Sequence, residues 1–465
     1  MIIYRSRILF LIFLNVIFKS QLLVSGWNAD DYALYRLESM RNEYFHQITD
    51  GRAGAALIIY ILEIFQLNLV GFSSVSAVFH LLAIPCSFAF VARRLELQSR
   101  LDWWVFCGLT TFNPFLLENA LFRGYSFLTT AALVCSLVSA ALVDVRPNRG
   151  RNIIAILLLL CSILLYQAYI AVWSSVVLLR GARHVFVNTS LNYLFTFILN
   201  AALIIIVAMI IYIMIYYLSF YFIREIVVSS TIRGLAMHSG DVILSRWIDA
   251  MHTMYWDSVV GYPFSLRLMI GLSTLGAAIT GVFSNTNFRR PGFAVILVLL
   301  TFLTSPGIII FASDYWLPFR VLTQNGIVIA GLTVVFGIHK TGTNILSFYR
   351  RWMLLISLSC IFILALQCSQ VLWDNAIITI RDIRMATEIV GRFERLIVNK
   401  MPTTIAVVKS TPRWGYPLGV RSTYGGLNIS AFYASWAQVP ILEIVSGYRF
   451  RSADAQDQAE ARRVC

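Results

Sequence analysis

The stretch Tyr193–Leu218 reads YLFTFILNAALIIIVAMIIYIMIYYL and holds no charged side chain. A helix that crosses a bilayer needs roughly 20 mostly apolar residues, and this run supplies them. Further apolar runs recur at Ile153–Leu165, Ala294–Phe311 and Met353–Leu366. None of them alternates apolar with polar residues, which argues against a membrane-spanning β-barrel. Helices are then the remaining way to satisfy backbone groups in lipid. Composition agrees. The chain is 58% hydrophobic and 13% charged, against about 25% charged residues in soluble domains. The fold class is therefore an all-α polytopic membrane protein.

The net charge is +14. The basic residues come in small clusters between apolar runs, which fits loops retained on the cytoplasmic side better than nucleic-acid binding. With those clusters placed inside, the chain is predicted to cross about eleven times. Arg5 and Arg7 put the N-terminus in the cytoplasm, ahead of a retained first helix at Ile8–Val24. No A-x-A cleavage site follows it, so a signal peptide is the weaker reading. Later spans fall at Ser73–Ala92, Asp102–Leu117, Tyr125–Val143, a pair within Ile153–Leu179 turning at Tyr166–Tyr169, then Tyr193–Leu218, Phe264–Phe283, Gly292–Phe311, Gln324–Ile338 and Met353–Val371.

This places a first outer loop at residues 25–71 within a membrane domain of residues 1–371. Residues 372–465 form a small α/β appendage on the outer side, with a helix at Ile377–Val398, a strand at Thr404–Val408 and a loop at Thr411–Gly426. Asp50–Leu69 is apolar, but a full crossing there would break the alternation. It is read as re-entrant or interfacial. Glu63 lies inside it, and an ionisable group at such depth points to function unless it is capped or snorkels. Cys86, Cys107, Cys135, Cys161, Cys360 and Cys368 fall inside apolar segments, where thiols behave as small buried hydrophobes. Cys465 ends the chain as a free thiol, and neither a disulfide framework nor a metal site is expected.

The outer loops carry the chemistry. After the first helix comes Asn28-Ala29-Asp30-Asp31-Tyr32-Ala33-Leu34-Tyr35. Asn28 suits a helix cap and the two acids suit a first helical turn. Tyr32, Tyr35, Met40 and Tyr44 share one face of an interfacial amphipathic helix. The aspartates either serve the helix dipole or supply a base that takes a proton from a sugar hydroxyl. Arginines recur outside too: Arg52 in Asp50-Gly51-Arg52, Arg123 after Glu118, then Arg224, Arg233 and Arg320. The positive-inside rule disfavours them there, and guanidinium groups grip phosphate in bidentate fashion.

With these motifs in this order, the chain resembles the serotype-converting O-antigen glucosyltransferases of the Gtr type, within the GT-C membrane glycosyltransferases. The resemblance rests on Asp30-Asp31, Asp50-Gly51-Arg52, Asn113-Pro114-Phe115 through Tyr125, Tyr166-Gln167, Pro318-Phe319-Arg320 and Trp373-Asp374. It implies a polyprenyl-phosphate-linked glucose or related hexose as donor, made and flipped by a separate synthase and flippase. It also implies a lipid-linked O-antigen polysaccharide as acceptor, on the periplasmic side of a bacterial inner membrane. An acid of the first outer loop is then the base, with Asp31 preferred to Asp30. Arg52, Arg123 and Arg320 hold the donor phosphate, and Glu118, Tyr125, Tyr166, Gln167 and Trp316 line the substrate site. Trp247, Tyr255 and Trp256 are further candidates for sugar stacking. No cofactor, metal or nucleic acid is expected. An O-antigen polymerase or ligase would carry its large outer loop in mid-chain. A transporter would show internal repeats, and none is visible.

Overall fold

The computed structural model describes residues 2–24, 26–35, 37–97, 99–146, 148–186, 191–223, 239–255, 268–272, 274–276, 296–297, 300–301, 303–307, 310, 319–335, 344–396, 404–405, 430–432, 437–453 and 455–464. Helices dominate them. In chain order they are α1 (Ile2–Phe18), α2 (Ala29–Leu34), α3 (Leu37–Thr49), α4 (Ala53–Ile64), α5 (Ser73–Arg94), α6 (Arg100–Thr111), α7 (Leu117–Leu121), α8 (Arg123–Leu142), α9 (Arg149–Leu165), α10 (Ile170–Phe186), α11 (Leu191–Ile223), α12 (Gly240–Tyr255), α13 (Gln324–Val335), α14 (Asn344–Leu396), α15 (Gln438–Ser446) and α16 (Ala455–Val464). Two short strands, β1 (Thr404–Ile405) and β2 (Arg451–Ser452), pair in parallel.

Local chemistry sets several boundaries. Ser99 and Asn148 cap α6 and α9, their side chains accepting from the N–H groups of Asp102 and Arg151. Such caps satisfy donors that the first helical turn leaves free. The polar turn expected between two helices at Tyr166–Tyr169 is present as a short 3-10 helix, Gln167–Tyr169, joining α9 to α10.

Four helices among the described residues are long and apolar enough to cross a membrane: Val70–Arg94, Arg123–Leu142, Asn192–Ser219 and Phe348–Arg395. Shorter helices pack among them around one apolar core containing Phe88, Trp103, Phe106, Leu133, Tyr169 and Val328. Polar contacts fix the direction of the chain. Tyr4 Oη, near the start of α1, donates to the carbonyl of Ala89, near the arginines that end α5. Lys19 Nζ, just past the end of α1, donates to Thr111 O at 2.8 Å, where α6 ends. The bundle thus has one end rich in arginine and an opposite end that gathers the predicted outer loops.

Three expectations change in the structure. The amphipathic helix through Tyr32, Tyr35 and Tyr44 is two helices, α2 and α3, because the chain breaks at Tyr35. Tyr32 is buried while Tyr35 is exposed. The segment expected to end at Val371 and the helix expected at Ile377–Val398 are one continuous α14 of 53 residues. No glycine or proline stands between them. At 1.5 Å per residue α14 is about 80 Å long, well beyond a ~30 Å hydrocarbon layer. Finally, Cys107, Cys360 and Cys368 are buried as expected, but Cys86 and Cys161 lie on the outer surface of the bundle.

A second apolar cluster stands apart from the main core. Ala29 and Tyr32 of α2 pack there with Ala386 and Val390 of α14, Ile405 of β1, and Val439, Ile441 and Leu442 of α15.

Candidate active site

Asn28 starts α2 with a capping box. Its side-chain oxygen accepts from Ala29 N at 2.6 Å, and its own N–H donates to Asp31 Oδ2 at 2.9 Å. The Asp31 carboxylate serves a second helix as well. It accepts from Arg123 N at 3.2 Å and Gly124 N at 2.8 Å, the first donors of α8. Gly124 permits this approach, because a Cβ there would lie 2.9 Å from Leu34 Cδ1 and 3.5 Å from Asp31 Oδ1. Asp31 is fully buried. Burial pushes its carboxyl up to about 7, against the pull of the Gly124, Asn28 and Arg123 N–H groups and the Arg123 charge.

Asp30 has another environment. It is half-buried, and its charge reaches Glu118, Tyr125 and Arg320. These three come from α7, α8 and the short 3-10 helix Phe319–Leu322, so the fold sets one acid of the pair toward a polar cluster and seals the other between helices.

Arg320 is the hub of that cluster. Its Nη1 donates to Glu118 Oε1 at 2.6 Å, its backbone N–H to Glu118 Oε2 at 2.5 Å, and its Nε to Tyr166 Oη at 3.1 Å. The guanidinium lies 4.6 Å from the Phe122 ring centroid. Glu118 is buried, and burial pushes its carboxyl up against the lowering pull of Arg320. Tyr166 also serves the second arginine, for Arg52 sits 4.8 Å from its ring centroid. Arg52 Nε donates to Gln167 Oε1 at 3.4 Å, its Nη1 to Gln47 Oε1 at 3.2 Å, and Asp50 lies 3.7 Å away. Gln47 in turn donates to Glu43 at 2.6 Å and to Tyr125 Oη at 3.3 Å. Two guanidinium groups therefore flank one tyrosine, and each keeps part of its surface open.

Gly51 makes the Arg52 corner possible. Its φ is +77°, and a Cβ there would sit 2.5 Å from Tyr212 Oη and 2.8 Å from Gln167 Nε2. Both the conformation and the space require glycine. Gln167 Nε2 donates to Asp50 O at 2.6 Å and ties the corner to the α9–α10 turn.

The structure thus gathers Asp30, Arg52, Glu118, Tyr125, Tyr166, Gln167 and Arg320. It sets Arg123 to a different task. Its Nε donates to Gly26 O at 3.0 Å, Nη2 to Val24 O at 2.9 Å and Nη1 to Leu22 O. This buried guanidinium fastens the loop between α1 and α2. Trp316, Arg224, Arg233 and Trp256 lie outside the described residues. Trp247 lies on α12, its Nε1 donating to Leu303 O at 3.1 Å. Tyr255 ends that helix. Sequence reasoning missed Gln47, Glu43 and Tyr212. Glu43 and Gln47 stand four apart, on one helical face, just ahead of Asp50-Gly51-Arg52, and that spacing was the available signal.

Comparison with known proteins adds one finding. A family model described as Glucosyl transferase GtrII matches residues 28–335, a span from the cap of α2 to the end of α13 that takes in the whole cluster. No curated protein and no solved structure matches the chain.

Proposed function

The chain belongs to the Glucosyl transferase GtrII family, and from this premise we propose which donor and acceptor it joins and which residues do the work. The donor is a polyprenyl-phosphate-linked glucose or a related hexose. The acceptor is lipid-linked O-antigen polysaccharide, on the periplasmic side of a bacterial inner membrane. The arginine-rich end of the bundle is then cytoplasmic, and the shorter helices α1, α6, α9 and α10 complete further crossings toward the expected count of about eleven. Residues 372–465, with the outer half of α14, form the periplasmic C-terminal region.

In this reading an acceptor hydroxyl attacks the anomeric carbon, forming the new glycosidic bond as the carbon–oxygen bond to phosphate breaks. The hydroxyl proton passes to Asp30, and the polyprenyl phosphate leaves with the bonding electron pair. Asp30 is favoured over Asp31 because Asp31 is committed to three backbone donors and sealed from solvent. Arg52 and Arg320 stabilise the leaving phosphate, since fixed positive charge is worth most where charge develops. Tyr166 and Glu118 hold the two arginines in place, and Gln167, Gln47 and Tyr125 complete the wall. Arg123 supports the loop instead of the phosphate. The observation that carries the reading is the convergence of Arg52, Tyr166, Arg320 and Glu118 from four separate segments beside Asp30.

The test is transfer from radiolabelled polyprenyl-phosphate glucose to O-polysaccharide in membranes holding wild type, Asp30→Asn or Asp31→Asn. Wild-type transfer with at least a 100-fold loss in Asp30→Asn and a smaller loss in Asp31→Asn is expected, the usual scale for a general base. Full activity in Asp30→Asn would remove its role. No transfer by wild type would reject the donor or the acceptor.

A further inference from the structure

Asp50 sits inside the polar cluster, but its side chain bonds to none of the other members. It follows Thr49, the last residue of α3, where free carbonyls carry partial negative charge and disfavour an acid. The side chain is 6% exposed. Oδ1 is buried without a hydrogen-bond partner among the described residues. Oδ2 lies 3.6 Å from His46 Nε2 and 3.7 Å from Arg52 Nη1, both too far for a hydrogen bond. The backbone of the same residue is fully engaged. Its N–H donates to His46 O at 3.0 Å, and its carbonyl accepts from Gln167 Nε2 at 2.6 Å.

Buried polar groups are nearly always hydrogen-bonded, and a buried carboxylate short of donors is costly. Nothing within the folded chain offsets that cost at Asp50, so its donors are to come from a ligand. The neighbours narrow the choice. A cation would meet Arg52, and a phosphate oxygen would meet the carboxylate's own charge. A neutral hydroxyl meets neither. Arg52 is also the proposed holder of the leaving phosphate. In a hexose joined to phosphate at its anomeric carbon, the hydroxyl on the adjacent carbon, C2, lies beside that linkage. A carboxylate oxygen 3.7 Å from the Arg52 guanidinium is placed for that hydroxyl.

We propose that Asp50 reads the donor sugar: its carboxylate accepts a hydrogen bond from the C2 hydroxyl of the hexose whose phosphate Arg52 holds. This rests on the donor proposed above. A bond from this hydroxyl strengthens as positive charge develops on the sugar ring, so Asp50 serves the rate of transfer as well as the choice of sugar. Gly51 and Gln167 fix the backbone of the corner, which keeps the carboxylate beside Arg52 before the sugar arrives.

The experiment compares two donors, polyprenyl-phosphate glucose and its 2-deoxyglucose counterpart, in membranes holding full-length wild type, Asp50→Asn or Asp50→Ala. The readout is kcat/KM for transfer to O-polysaccharide. Asp50→Ala should lower it about 30-fold on the glucose donor and less than about threefold on the 2-deoxy donor, a scale set by one charge-assisted hydrogen bond. The preference of the enzyme for glucose over 2-deoxyglucose then narrows about tenfold, as a double cycle of residue and hydroxyl requires. Asp50→Asn, which keeps a neutral acceptor, should fall between. Equal losses on both donors would overturn the proposal and make Asp50 a positioning residue for Arg52, with the donor reading intact. No transfer from the glucose donor by wild type would reject that reading and this inference with it. The melting temperature of Asp50→Asn in detergent should be no lower than that of wild type, because no hydrogen bond within the chain is lost. A clear drop would overturn the premise that the carboxylate awaits a ligand.

Discussion

Asp30 and Asp31 are neighbours in sequence, but Asp31 is buried between two helix starts while Asp30 turns toward Arg320. A carboxyl held near 7 when folded, against about 4 when unfolded, binds more protons in the folded state between those values. Its contribution is complete below pH ~4 and declines as pH rises to about 7, with no further change above. Asp31→Asn removes that titration. Thermal melting of the two proteins in detergent should therefore converge, or cross, as pH rises from 4 to 7.5, whereas a constant gap would reject the assignment. Arg123 yields a second expectation. Lysine cannot span three carbonyls as a planar fork does, so Arg123→Lys should lower stability by about 2–3 kcal/mol, as buried acceptors lose their donors. Loss of transfer with unchanged melting would instead give Arg123 a direct role in the reaction. The sequence singled out Arg52, Arg320, Glu118, Tyr166 and Gln167, which the structure brings together, because polar and basic residues in loops expected outside break a general bias. It did not disclose the task of Arg123, whose partners are backbone carbonyls of Leu22, Val24 and Gly26. Side-chain types carry no trace of where a loop's carbonyls point.

At the scale of elements, the arginines that mark one end of the bundle also finish its helices. Arg180 of α10 donates to Ala140 O at 3.0 Å, Ala141 O at 3.2 Å and Val143 O, the last carbonyls of α8. Arg183 donates to Leu95 O at 3.0 Å and Glu96 O at 3.4 Å, where α5 ends. A cation at a helix C-terminus satisfies free carbonyls and complements the dipole. One helix thus locks two others, which is why these side chains are buried instead of solvated. Charge bias alone reads them as loop markers, because it counts cations and says nothing of their partners. Arg180→Met should cost about 2–4 kcal/mol, since it leaves three buried acceptors short of a donor. The measurement is the melting temperature in detergent, and Arg151→Met, at the more exposed pair with Asp144, should cost less than 1 kcal/mol. Equal losses would mean that net charge, not capping, holds this end. The element boundaries missed in sequence follow the same logic. The composition shift after Val371 is real, but α14 continues through it, because no glycine or proline interrupts the helix there.

At the scale of the whole molecule, the helix bearing both aspartates is bonded to α8 through Asp31, but it packs Ala29 and Tyr32 into the second apolar cluster and not into the main core. α2 has six residues, too few to be stable alone. Its apolar residues Ala29 and Tyr32 are buried against α14, β1 and α15. Thr379 adds a polar latch, accepting from Trp27 N at 2.9 Å and bonding to Trp27 O at 3.1 Å. The family match stops at residue 335, so this support comes from a part of the chain beyond it. If residues 372–465 only recruited acceptor, damage there would raise KM for polysaccharide and leave slow hydrolysis of the donor untouched. A bracing role predicts otherwise. Ile441 is fully buried in the cluster, and Ile441→Asp places an unpaired charge there, at a cost that displaces α15. Asp30 then loses its position relative to Arg320, so kcat should fall at least tenfold with donor hydrolysis falling alongside. Melting of the membrane bundle, which has its own core, should change little. A rise in acceptor KM alone, with kcat and hydrolysis intact, would make the C-terminal region a recruiting module and leave α2 positioned by its bonds to α8 alone.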